Sequence, residues 1–119
     1  MGTTKEKIVN APSSDPLDRL IYEHHVYIKG LEILKKYNKM IVILNTNNIL
    51  SLNLSDFRGL KNATEKQLKN LDIIHGGVGI HWNDLDEGLS LKGFIQSIKP
   101  VERRTVIRKL KKNEAIVFA

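Results

Sequence analysis

Between residues 26 and 82 apolar and polar positions change places in short runs with the period of two that marks half-buried strands. In "VYIKGLEIL", Val26 and Ile28 share one phase and Leu31 and Ile33 the other. The slip falls at Gly30, where a bulge would restore the inward register. "MIVILNTNNILSLNLS" predicts a hairpin. With Asn47–Asn48 as a two-residue turn, Ile43 faces Leu52 and Ile41 faces Leu54, while Ser51 and Asn53 take the other face. Asparagine tolerates the positive φ that such a turn demands. "LDIIHGGVGIHW" predicts a second hairpin about Gly76–Gly77. Pairing outward sets His75 against Val78, Ile73 against Ile80 and Leu71 against Trp82 on a core face. Ile74 with Gly79 and Asp72 with His81 lie on the reverse face.

Helical periodicity occupies the flanks. Residues 1–16 are polar, with Pro12 and Pro16, and read as an arm. Ser14 or Asp15 can cap a short helix through "LDRLIYEHH", with Pro16 in its first turn and Leu17, Leu20 and Ile21 on one face. Asn62 or Thr64 can cap "EKQLK", whose Glu65 and Lys69 suit the helix dipole. Ser90 is a natural N-cap for a helix whose apolar face is Leu91, Phe94, Ile95 and Ile98. Pro100 opens the last helix, with Val106, Ile107 and Leu110 on one side and Arg104, Arg108, Lys111 and Lys112 on the other. The pattern predicts an α+β fold: a small antiparallel sheet of two hairpins plus a leading strand, short helices packed on one face, and a basic C-terminal helix. It divides the chain into an arm (1–16), a single domain (17–98) and a basic amphipathic extension (99–119).

Composition narrows the function classes. The chain has 119 residues, 41% of them hydrophobic, enough for one packed domain. Its longest apolar run, "MIVIL", is strand-sized, so no membrane association is expected. The N-terminus lacks the apolar stretch of a signal peptide, and a cytoplasmic protein is expected. With no cysteine, disulfides, thiol catalysis and cysteine–zinc sites are excluded. The net charge of +6 is unevenly placed: residues 1–98 hold 12 Lys/Arg against 11 Asp/Glu, and residues 99–119 hold seven against two. A cationic tail on a nearly neutral body implies an acidic partner, either a protein surface or nucleic acid. Arg103, Arg104, Arg108, Lys109, Lys111 and Lys112 are the candidate contact residues. Few aromatics interleave with them, which disfavours base stacking. The terminal "AIVF" has the composition of an edge strand for this sheet or a partner's.

The chemistry-bearing side chains do not assemble into a reaction centre. His75 and His81 point to opposite faces in the predicted register, and His24–His25 are adjacent, so neither pair suits one metal ion. His81 is better placed as a cross-strand partner of Asp72. Asp84, Asp86 and Glu87 are expected in a short, solvated connection leading from a strand into the Ser90-capped helix. There they favour its positive end. "GGVG" lacks the lysine and the strand–loop–helix setting of a phosphate loop. No serine has a histidine–acid pairing beside it. A non-enzymatic protein without a metal or cofactor is therefore expected.

From Tyr27 to Ile98 the chain resembles the bacterial family called domain of unknown function 2442. The resemblance rests on "NATEKQL", "GGVGIHW" and "DLDEGLSLKGF" in that order. Gly76, Gly77, His81, Trp82, Asp84, Leu85, Asp86, Ser90, Gly93 and Phe94 fall on the signature. It implies a compact α+β domain with antiparallel strands and carries no established reaction. Relatives that stand beside small toxin-like partners, or are joined to a helix-turn-helix, imply an antitoxin-like or regulatory interaction module.

Overall fold

The computed structural model describes residues 15–111. Its elements are α1 (Pro16–Tyr22), β1 (Ile28–Leu34), β2 (Lys39–Leu44), β3 (Ile49–Asn53), α2 (Glu65–Lys69), β4 (Leu71–Ile74), β5 (Gly79–Trp82), β6 (Glu87–Ser90), α3 (Leu91–Gln96) and α4 (Pro100–Lys111), with short 3-10 turns between some of them. The class is α+β with antiparallel pairing throughout. The strands divide between two three-stranded sheets, β1-β2-β3 and β4-β5-β6, rather than forming one.

Side-chain caps start three of the helices. Asp15 accepts the Leu17 N–H at 2.9 Å, with Pro16 in the first turn of α1. Thr64 and Gln67 form a reciprocal capping box at α2. Ser90 Oγ accepts the Gly93 N–H at 3.0 Å to start α3. α1 ends at Tyr22, short of the expected "EHH", and the backbone then turns through His25 at φ 55.

The first hairpin corrects the predicted register. Ile43 pairs with Ile49 and Ile41 with Ser51, not with Leu52 and Leu54. The Asn47 N–H reaches the Leu44 carbonyl at 2.9 Å, and among the loop residues Asn47 alone has positive φ, at 69. This is the three-residue loop, Asn45 to Asn47, that ends in one left-handed residue, and the Leu44 N–H donating to the Asn48 carbonyl at 2.9 Å closes it. The shift is odd, so it exchanges the faces of β2. Met40, Val42 and Leu44 are fully buried, while Ile41 and Ile43 are only partly covered. The Gly30 slip does appear, as an irregularity between Ile28 and Gly30 in the β1–β2 ladder.

The second hairpin has the predicted register: Leu71↔Trp82, Asp72↔His81, Ile73↔Ile80 and Ile74↔Gly79. Its burial differs. Ile80 and Trp82 are sealed, but Ile73 is 40% exposed and His75 is exposed, because β4 lies at the sheet edge and only the central strand β5 is covered from that side. His75, Gly76 and Gly77 all take positive φ. At Gly77 (φ +93) an added Cβ would lie 2.6 Å from the Ile28 carbonyl, so the turn can abut β1 only as glycine. That contact brings the two sheets together.

The core runs from Leu17 and Leu20 through Met40, Val42 and Leu50 to Ile80, Trp82, Leu91 and Phe94. Phe57 meets Phe94 edge to face at 5.6 Å. The indole N–H of Trp82 donates to the Leu68 carbonyl at 2.9 Å, tying β5 to the end of α2. Among the described residues no helix is long and apolar enough to cross a membrane.

Candidate interaction surface

α4 packs on α1 and α3 through Val106 and Leu110, which are 0% and 2% exposed. Their spacing of four places both on one face, and the helix cannot rotate without uncovering them. Arg108, Lys109 and Lys111 occupy its last turn and Glu102 its first, the arrangement the helix dipole favours.

The basic residues of α4 divide into two roles. Arg103 Nη2 donates to the carbonyls of Gln96 at 2.6 Å and Ile98 at 2.9 Å. Its guanidinium thus closes the end of α3, where backbone acceptors lack helical partners. Arg104, Arg108 and Lys111 are exposed, Lys109 is half-buried, and Lys112 lies outside the described residues. Among the described residues, none of Arg104, Arg108 and Lys111 joins an ion pair. Two carboxylates at the start of α1 are held by α3: Lys92 Nζ sits 2.9 Å from both Asp15, the α1 N-cap, and Asp18. Those contacts lower the Asp15 pKa and raise that of Lys92. Between α1 and α4, Pro16, Ile107 and the three exposed cations line a mostly apolar cavity of about 280 Å³.

The acidic stretch does not lead into a helix as expected. Residues 83–86 form the turn of a hairpin joining β5 to β6, with Asp86 at φ 48, and β6 separates that turn from α3. Asp84 and Asp86 are exposed, and Glu87 opens β6 opposite Trp82. His81 stands opposite Asp72 in the ladder, yet Asn83 takes the contacts expected between them. Asn83 Oδ1 lies 3.1 Å from His81 Nδ1, and its Nδ2 donates to Asp72 at 3.2 Å and to Asn70 at 3.1 Å. His81 Nε2 is 3.8 Å from Asp86 Oδ1, at an open surface. These groups lie at one end of the second sheet, with Asp72, Asn83, Asp84 and Asp86 exposed and His81 and Glu87 half-buried. Among the described residues no cluster of His, Asp or Glu has a ligand arrangement.

The other signature residues position backbone. Gly76 and Gly77 make the left-handed turn, Trp82 fills the core, and Ser90 with the Gly93 N–H starts α3. Two features went unseen in the sequence. One is the apolar cavity, because Pro16 and Ile107 meet only through helix packing. The other is a polar cavity of about 440 Å³ where Lys39 and Asp56 approach Lys99 and Glu102. Neither has a local sequence signal.

Residues 28–100 match the model of the family described as "Protein of unknown function (DUF2442)". A crystal structure of a protein of unknown function from Rhodospirillum rubrum is similar, with 27% identity and a TM-score of 0.56, over 61% of this chain and 88% of that one. A solution structure of an uncharacterized protein from Chromobacterium violaceum, 19% identical, shares the fold with a TM-score of 0.58 over 84% of this chain and 97% of that one. No curated protein matches the chain.

Proposed function

The chain belongs to the DUF2442 family, and on that footing we propose that it is a non-enzymatic interaction module, antitoxin-like or inhibitory, that presents α4 to an acidic protein partner in the cytoplasm. The observation that carries this reading is the set of exposed cations Arg104, Arg108 and Lys111, free of ion pairs among the described residues and fixed on a helix whose other face is buried. Three cations on a rigid helix attract an acidic surface and set its register, at little entropic cost to the module itself.

The test is capture from the native source by the full chain and by the Arg104→Glu, Arg108→Glu, Lys111→Glu variant. Charge reversal leaves Val106 and Leu110 in place, whereas deleting α4 would uncover the core. The wild type retains a partner and the variant loses it. Equal capture by both rejects the reading.

A second reading has one observation in its favour. The same cations recur at positions i, i+4 and i+7, a stripe that also suits phosphates. Nucleic-acid binding would then weaken with salt, with a log–log slope of about −0.9 per phosphate neutralised. The triple Ala variant would flatten that slope, and an unchanged slope rules the reading out.

A further inference from the structure

We infer that the groove between α1 and α4 receives an acidic amphipathic helix of the partner protein: one apolar side chain enters the cavity over Ile107, and flanking carboxylates meet Arg104, Arg108 and Lys111. This rests on the proposed reading of α4 as the contact surface and specifies how the partner is recognised.

The spacing of the lining carries the argument. Arg104, Ile107, Arg108 and Lys111 fall at i, i+3, i+4 and i+7, a single stripe beside the buried Val106–Leu110 face. Val101, 75% exposed, continues the stripe toward the start of the helix. A facing helix presents its own side chains with the same rise and can match an apolar–cationic stripe with an apolar–acidic one. An extended segment would bring unpaired backbone groups to a surface of side chains. Pro16 borders the open groove on its α1 side, and its volume of about 280 Å³ has ample room for an aliphatic side chain.

The same lining separates a protein from a nucleic acid. Phosphates would satisfy the three cations and leave Ile107, Pro16 and Val101 facing water or polar backbone. Among the described residues no aromatic ring lines the cavity, so unpaired bases find no stacking platform there. Charge complementarity with an apolar centre favours an acidic helix. Lys92 binds Asp15 and Asp18, and among the described residues neither carboxylate pairs with Arg104, Arg108 or Lys111.

The experiment titrates the full chain into a fluorescein-labelled helical peptide with one leucine flanked by glutamates three and four residues to either side. A leucine-to-serine peptide of equal charge and a short DNA duplex are run in parallel. The leucine peptide binds about tenfold more tightly than the serine peptide, as expected for burial of one aliphatic side chain. Ile107→Gln removes that preference, and so does Ile107→Ser, each replacing the apolar floor of the groove with a polar side chain. Thermal melts establish that each variant is folded, and Arg104→Ala weakens both peptides alike. Equal affinity for the two peptides overturns the groove but leaves the acidic-partner reading standing. Tighter binding of the duplex than of the leucine peptide overturns the choice of a protein helix. If neither peptide binds, the groove inference fails; the broader reading then fails only if the charge-reversed variant still captures the partner.

Discussion

Replacing Trp82 with Phe isolates one hydrogen bond at the centre of the fold. Trp82 has no exposed surface, and its indole N–H donates to the Leu68 carbonyl at 2.9 Å. That carbonyl lies in the last turn of α2, where helical acceptors have no partner in their own helix. Phenylalanine keeps an apolar ring in place but removes the donor, leaving a buried acceptor unpaired at a cost of roughly 1–3 kcal/mol. The smaller ring adds a cavity term on the order of 1 kcal/mol. Together these lower the melting midpoint by at least about 8 °C for a domain of this size. The assay is urea and thermal unfolding followed by far-UV circular dichroism, since the variant loses the sole tryptophan fluorophore. Trp82→Ala costs more, about 3–5 kcal/mol, but mixes lost packing with the lost bond. A Trp82→Phe loss below about 0.5 kcal/mol would refute the reasoning: the Leu68 carbonyl would then be adequately solvated, and the indole would serve as packing alone.

Three further perturbations separate local from tertiary effects. Gly77→Ala forces a Cβ to 2.6 Å from the Ile28 carbonyl, whereas at Gly76 the same Cβ meets open space. Urea denaturation should therefore show a clearly larger loss at Gly77, with about 1–2 kcal/mol of left-handed strain common to both. Arg103→Met removes donors from the Gln96 and Ile98 carbonyls and should lower stability by about 1–2 kcal/mol. Arg104→Met should stay within about 0.5 kcal/mol of wild type; equal effects would mean that the two arginines are not divided between structure and surface. The Lys92 hydrogen bond and the Leu17 N–H hold the Asp15 carboxyl below its ordinary value of 3.8, while Asp15 and Asp18 hold Lys92 above 10.5. The depressed carboxylate contributes stability above 3.8 that disappears as the pH falls through its lowered value; the raised ammonium contributes below 10.5 and ceases to do so as the pH rises past its raised value. Lys92→Met should thus be less stable than wild type near neutrality, with the gap closing in strong acid and in strong base. A gap independent of pH contradicts the pairing.

Much of the local structure was legible because its causes lie within a few residues. Asp15, Thr64 and Ser90 cap helices through their own side chains and the N–H groups two or three positions on. The β4–β5 register follows from a turn built around adjacent glycines, and the slip at Gly30 is visible in the alternation itself. The apolar faces of α3 and α4 follow from helical spacing alone. The signature from Gly76 to Phe94 is likewise local, and it lies within residues 28–100, which match the family.

Tertiary structure decided what local pattern left degenerate. All five residues from Met40 to Leu44 are apolar, so alternation cannot choose between the two faces of β2. The choice is made by a loop in which Asn45 accepts the Tyr27 N–H and donates to the His25 carbonyl, far away in sequence. β6 carries Leu89 as its one apolar side chain and becomes a strand through pairing with β5, which is why the acids before it occupy a hairpin turn. Arg103 and Arg104 are neighbours with the same chemistry, and only the position of the α3 carbonyls turns one inward. The cavity over Ile107 exists because α1 and α4, from opposite ends of the described chain, pack together. Caps, turns and amphipathic faces are written locally because their hydrogen bonds and side-chain periods span a few residues. Register between two-sided apolar strands, and the partner of a buried cation, depend on atoms that only the folded chain brings within reach.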